Sequence, residues 1–313
     1  MNPDLPVTIN TLYTYKLTWD YSRYAMRNLK VIAVIILTML CHAFLCAQER
    51  FDLQKRNGHY YFTATVNGTL AECMLESGIP AMLVGEKHYR SCLESSGLSF
   101  EPSKGKMRLL NQLYDILFRA DGEVRIGNAL YDGPVFILKD YSGISVPVQY
   151  LKDPATRQAV MTIDLKNNYI QIGTPKNRVY GKKYRLSSDK DLGFPIVAAK
   201  VCLQTPEGRS RLKGNLIVDF GNPSLLFLLK QHKSMAKAIK AKTIGLKDAY
   251  DKQGRLVAQG LYADTVSMFG QKFLSQSIGV TDKMKSIEHL GFLGTPFFTL
   301  PVMFDFDRGF MIL

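Results

Sequence analysis

The 313-residue chain repeats itself, and that limits its possible folds more than any other property. "VMTIDLKNNYIQI" (Val160 to Ile172) and "PVMFDFDRGFMIL" (Pro301 to Leu313) align without a gap over thirteen positions, with Asp164 opposite Asp305. Each is two apolar arms around a polar turn, the pattern of a β-hairpin. Upstream, "EVRIGNALYDGPVFILKD" (Glu123 to Asp140) and "TVSMFGQKFLSQSIGVTDK" (Thr265 to Lys283) share an apolar strand, a glycine turn and a second apolar strand. Earlier still, "ECMLESG" (Glu72 to Gly78) matches "NLIVDFG" (Asn215 to Gly221). The offsets of these matches are 141, 142 and 143 residues, so one folding unit occurs twice. Within each unit the short β-rich runs lie at hairpin spacing and amphipathic helical patterns are few, which predicts a mainly antiparallel β fold in two lobes. A helix after each carboxylate-bearing turn fits the same pattern. The lobes are expected at 48–175 and 194–313, joined by the polar, basic stretch 176–193.

Residues 1–47 stand apart. Arg27 and Lys30 precede the apolar run "VIAVIILTML" (Val31 to Leu40), and Ala47 supplies a small residue at a cleavage position before Gln48, the pattern of a signal peptide. A retained N-terminal anchor is the alternative, although the run falls short of the ~20 apolar residues of a spanning helix and His42 interrupts it. Met26 just ahead of Arg27 makes residues 1–25 a candidate upstream extension. Leu45 is bulky where a lipidated Cys46 would want a small neighbour. The expected location is therefore outside the cytoplasm: periplasmic, envelope-bound or secreted. In such a compartment the three later cysteines, Cys73, Cys92 and Cys202, allow at most one internal disulfide, with three free thiols as the alternative.

Hydrophobic residues make up 46% and charged residues 21%, the balance of a chain with a packed core. The formal net charge is +13, and removal of residues 1–47 takes away four basic and two acidic residues to leave +11. That excess favours anionic partners, here an envelope surface or acidic polypeptide. Nucleic acid is not expected, since no helix-turn-helix, zinc-finger or aromatic RNA-binding signature accompanies the charge. Much of the excess lies in "LKQHKSMAKAIKAK" (Leu229 to Lys242), read as a solvated helix face. "DFG" at Asp219 to Gly221 and "VAAK" at Val197 to Lys200 mimic kinase fragments but lie about twenty residues apart without a His-Arg-Asp loop. No Gly-x-Ser-x-Gly, Gly-x-x-x-x-Gly-Lys or His-Glu-x-x-His occurs, and His59, His88, His232 and His289 lack metal-ligand spacing. Neither a metal nor a cofactor is expected.

"LIVDFGNPSLLFL" and "GFLGTPFFTLPVMFDFDRGFMIL" resemble the aspartic peptidases. That family carries a strand ending in apolar-apolar-Asp-Thr/Ser-Gly, then a glycine hairpin, then Gly-apolar-Leu-Gly before a final strand pair. "VNGTLAECMLESGIPAMLV" is similar to its bacterial retropepsin-like version. The resemblance runs from about Phe51 to Leu313, twice over. It implies a two-lobed fold of duplicated, closed β lobes, with two carboxylates at their seam sharing one proton, one acting as base toward water and the other as acid toward the scissile carbonyl. Carried over residue by residue, these are Glu76 and Asp219. Gly78 and Gly221 become the turn glycines that let backbone N–H groups approach the carboxylates. Ser77 and Phe220 stand at the positions whose hydroxyls normally bond across the seam. The implied partner is an extended peptide or unfolded protein, covered by hairpins at Met107 to Glu123 and Arg255 to Thr265.

The departures from the family pattern carry expectations of their own. Glu76 replaces an aspartate and adds about 1.5 Å of reach, which predicts weak activity unless the backbone compensates. Phe220 replaces a hydroxyl residue. "QYLKDP" (Gln149 to Pro154) stands at an offset of 142 from "GFLGTP" (Gly291 to Pro296), with Gln149 and Lys152 in place of glycines. Glu76→Asp combined with Phe220→Thr is expected to raise activity. Three readings stay open on sequence: an exported endopeptidase acting through Glu76 and Asp219, a catalytically silent relative that binds peptides in the cleft by strand addition, and a structural envelope protein.

Overall fold

The computed structural model describes residues 49–109, 112–175, 180–250, 253, 256–282, 284 and 288–313. The signal pattern lies outside these residues, as does Arg255. Among the described residues no helix is long and apolar enough to cross a membrane.

The first lobe runs through β1 (Arg50–Asp52), β2 (Gln54–Arg56), β3 (His59–Val66), β4 (Thr69–Glu76) and β5 (Met82–Gly85). A single helical turn, α1 (Glu86–His88), continues as a wider turn to Leu93. Then come β6 (Glu101–Pro102), β7 (Lys106–Leu109), β8 (Gln112–Ile126), β9 (Ala129–Leu138), β10 (Ile144–Pro147), β11 (Leu151–Lys152), β12 (Val160–Asp164) and β13 (Tyr169–Ile172). Alternation along β3, with Tyr60, Phe62, Ala64 and Val66 buried and Thr63 and Thr65 exposed, is what a strand with one face on a core requires. Strands pair in the order β9, β5, β10, β4, β3, β8, and β8 returns to β9, so the sheet closes on itself.

The second lobe repeats the plan. It comprises β14 (Lys183–Ser188), β15 (Pro195–Thr205), β16 (Gly208–Val218), β17 (Leu226–Leu229), α2 (Lys233–Lys240), β18 (Lys247–Tyr250), β19 (Leu256–Met268), β20 (Gln271–Thr281), β21 (Gly291–Leu293), β22 (Val302–Asp305) and β23 (Phe310–Ile312). Its ring is β20, β17, β21, β16, β15, β19, closed by β19 on β20. Position by position this is the first ring again, including the two parallel pairs: β4 with β10 and β5 with β9, against β16 with β21 and β17 with β20.

The repeated hairpins β12–β13 and β22–β23 pair with each other through β12 and β22. Thr162 lies opposite Met303, and these two residues are equivalent at the 141-residue offset. The pseudo-twofold axis therefore passes through that pair. β1 and β14 flank this shared sheet as counterparts, pairing with β13 and β23 respectively. The stretch 176–193, expected as a bare connection, thus contributes a strand to the shared sheet. Its alternation is short and polar because only Leu186 points fully into the core.

One register expectation fails. Val218 pairs in parallel with Leu293 and Leu75 with Val146, so the first-lobe counterpart of "GFLGTP" is "ISVPVQ" (Ile144 to Gln149), at an offset of 147. "QYLKDP" begins five residues too late. The first lobe shortens the approach to β10 and lengthens the loop before β12, so matches on either side keep an offset near 142 and conceal the slip. The glycines are still missing: Ile144 and Pro147 occupy the places of Gly291 and Gly294. In the second lobe those glycines permit backbone-on-backbone packing, because a Cβ at Gly291 would lie 2.9 Å from the Leu228 Cα and one at Gly294 would lie 2.5 Å from the Asn222 carbonyl oxygen. Lys152 has a different task, an ion pair with Asp132 at 2.6 Å.

Candidate active site

Glu76 ends β4 and Asp219 follows β16, each where an apolar central strand of its ring gives way to a turn. Neighbouring strands leave little freedom: Glu76 is in parallel register with Pro147, and the Asp219 N–H donates to the Leu293 carbonyl at 2.9 Å. The two turns meet across the seam.

Gly78 lies against the carboxylate of Asp219, where an added Cβ would stand 2.5 Å from Cγ and 2.6 Å from Oδ1. Gly221 lies against the carboxylate of Glu76 in the same way, and a methyl there would overlap both of its oxygens. Neither glycine adopts the left-handed backbone region, so the constraint is space rather than conformation. The exchange is reciprocal, and the backbone N–H groups that it admits reach both acids. Asp219 Oδ1 accepts from the Gly221 N–H at 2.9 Å, the Asn222 N–H donates to the Asp219 main-chain carbonyl at 3.2 Å, and the N–H groups of Asn222 and Gly78 lie close enough to favour the charged carboxylate. The nearby backbone N–H groups of Ser77 and Gly221 favour the charged form of Glu76, and the two carboxyl groups are within hydrogen-bonding reach of each other. The extra methylene of Glu76 therefore does not misplace its carboxyl: it meets Gly221 as Asp219 meets Gly78.

Both acids are shifted toward the protonated form. Burial raises Glu76 well above the ordinary carboxylate range, the adjacent Asp219 raises it further, and only 8% of the residue is exposed. Burial also raises Asp219, to about 6, against the opposing pull of its backbone donors. Because Asp219 holds more of those donors, Glu76 is the better proton holder of the pair. The protons nevertheless belong to the pair rather than to either residue.

Ser77 supplies one half of a cross-seam exchange. The Phe220 N–H donates to its Oγ at 3.0 Å, and the hydroxyl donates to the Val218 carbonyl at 2.7 Å. Phe220 supplies no second half. Its ring is fully buried and packs against Phe298 and Phe304, with centroids 5.0 and 5.6 Å away. The second turn is thus anchored by an aromatic cluster where a hydroxyl would have reached back.

The hairpin of β7 and the start of β8 pairs Met107 with Tyr114 and Leu109 with Gln112. Met107, Leu109 and Tyr114 pack on a small apolar cluster that includes Ile79, next to Gly78. The corresponding second-lobe hairpin, β18 with the start of β19, is exposed along β18. Sequence reasoning missed a further residue at the site, Gln149. Its amide donates to the carbonyls of Ser77 and Ile79, both at 3.3 Å. The apolar run just before it was the available signal, but that run carries none of the glycines that mark its second-lobe counterpart. Cys73, Cys92 and Cys202 are all free thiols. Among the described residues no cluster of His, Cys, Asp and Glu could hold a metal ion.

Two closed β lobes about a pseudo-twofold axis, with paired turns at the seam, define an aspartic-peptidase-like architecture. An aspartic proteinase from Irpex lacteus is similar in structure, with a TM-score of 0.55 over 85% of this chain and 96% of that chain, at 11% sequence identity. At that identity the likeness shows a pepsin-like fold. No protein-family model matches the chain. No curated protein matches it either.

Proposed function

We propose that this chain is an exported aspartic-type endopeptidase of the retropepsin-like kind, cleaving extended peptides through Glu76 and Asp219. The reciprocal packing of each carboxylate on the opposite turn glycine carries the reading, because two buried acids held that close together favour sharing one proton. Asp219, the richer in backbone donors, takes a proton from the attacking water as the C–O bond forms. Glu76 gives its proton to the carbonyl oxygen of the scissile peptide. Collapse of the tetrahedral diol returns a proton from one hydroxyl to the pair while the leaving nitrogen is protonated, and the C–N bond breaks. The β7–β8 hairpin, seated on Ile79, covers the bound strand. Export rests on Arg27, Lys30 and the apolar run that follows. An anionic envelope surface fits the exposed Arg209, Arg211 and Lys213 of β16 and Lys233, Lys237 and Lys240 of α2.

The second reading, a silent relative that only binds peptides, is favoured by one observation: Phe220 removes half of the cross-seam exchange that normally stiffens the turns. Cleavage of an unfolded protein between about pH 4 and 7 separates the two readings. The first expects products that disappear with Asp219→Ala. Peptide binding without products supports the second, and cleavage that survives Asp219→Ala overturns the assignment.

A further inference from the structure

The two turns are held from behind by different means. In the second lobe the Asn222 carbonyl accepts from the Thr295 N–H at 3.0 Å and from its hydroxyl at 3.3 Å. The first-lobe counterpart of Asn222 is Ile79, and that of Thr295 is Val148, which has no hydroxyl. Gln149, one residue on, reaches over instead. Its Nε2 donates one N–H to the Ile79 carbonyl and one to the Ser77 carbonyl, at 3.3 Å each. A flipped amide would turn Oε1 against two carbonyl oxygens, so the orientation is fixed by the turn. The consequence is visible at the other end of the amide, where Oε1 is buried without a partner. An unpaired buried acceptor is unfavourable, and the two bonds to the turn are what offsets it. Ser77 is the residue whose hydroxyl links the first turn to Val218 and Phe220 across the seam. Gln149 therefore acts on the residue that ties Glu76 to the opposite turn.

We propose that Gln149 is a positioning residue: it braces the Glu76–Ser77–Gly78–Ile79 turn and takes over the task that Thr295 performs in the second lobe. The inference rests on the reading of Glu76 and Asp219 as a catalytic pair, but its physical core is testable without activity. Gln149→Met keeps the length of the side chain and removes the amide. Hydrogen exchange of the Ser77 to Ala81 amides in the purified protein should then accelerate at least about fivefold, the population change expected from losing an ordinary hydrogen bond. The β19–β20 hairpin should be unaffected. Adding Val148→Thr supplies a hydroxyl at the place of Thr295 and should return protection to the turn. In peptide cleavage, Gln149→Met should lower kcat about tenfold with KM unchanged, because it loosens the reacting group rather than the binding cleft.

Unchanged turn exchange in Gln149→Met overturns the proposal, and so does acceleration spread evenly over the first lobe. An unchanged kcat in an active enzyme overturns it as well. If the wild type cleaves no peptide, it is the peptidase reading that fails, and the exchange data alone decide the brace. Should Gln149→Met not fold, recovery of fold and turn protection in the Val148→Thr/Gln149→Met double variant supports the brace, and failure to recover contradicts it.

Discussion

Phe220→Thr pits two effects at one site against each other. The substitution gives the second turn the hydroxyl that the twofold symmetry calls for, with the Leu75 carbonyl as acceptor in the place of the Val218 carbonyl that Ser77 uses. A hydrogen bond of that kind contributes roughly 1 kcal/mol net. Against it stands the loss of a fully buried aromatic ring in contact with Phe298 and Phe304. Truncation of a core phenylalanine to alanine costs about 3–5 kcal/mol, and threonine recovers little of that volume. The net expectation is destabilisation of about 2 kcal/mol or more. Urea unfolding of wild type and variant at one pH measures it directly, with the midpoint moving down and the slope unchanged. A variant as stable as the wild type would show that the aromatic anchor does not hold the second turn.

Ser77→Ala removes the hydroxyl link between the turns and leaves the Val218 carbonyl and Phe220 N–H buried without it; a loss of about 2–4 kcal/mol in urea unfolding is expected. Glu76→Asp should lower cleavage by on the order of a hundredfold, because the carboxyl retreats by about 1.5 Å from Gly221. That reverses the expectation from family pattern alone, and a faster Glu76→Asp enzyme would refute it. The pair also sets a pH dependence. Asp219 has an ordinary value of 3.8 and is raised to about 6 in the folded protein, with Glu76 raised as well, so between these values the folded chain holds more protons than the unfolded one. Stability contributed by the pair should be full below about pH 4 and decline as pH rises through 6. The thermal midpoint followed across that range should fall for the wild type and level out in Glu76→Gln/Asp219→Asn.

The two-lobed plan was legible because both halves obey the same strand alternation, and a near-constant offset over three motifs requires a duplicated unit. The matched places of Glu76 and Asp219 at the ends of apolar strands were legible on the same grounds. The register of β10 was not, since an interval shortened before it and lengthened after it leaves no trace at the flanking matches. Gln149 stayed hidden behind that slip, and its role is a contact with backbone carbonyls that no side-chain pattern records. The half-exchange at Ser77 could be foreseen from Phe220, but not the two aromatic rings that replace the other half, because Phe298 and Phe304 lie some eighty residues along the chain. β14 was hidden because an edge strand with one buried leucine has almost no apolar period.

The central claim is that Glu76 and Asp219 hold one proton between them across the lobe seam. Carbon NMR of protein labelled at the Asp and Glu carboxyl carbons, followed from pH 3 to 8, observes that proton directly. The account predicts two well-separated steps for this pair, both above the ordinary carboxylate range, with Asp219→Asn moving the Glu76 step downward. Two carboxyls titrating independently near pH 4, each indifferent to the loss of the other, would contradict it.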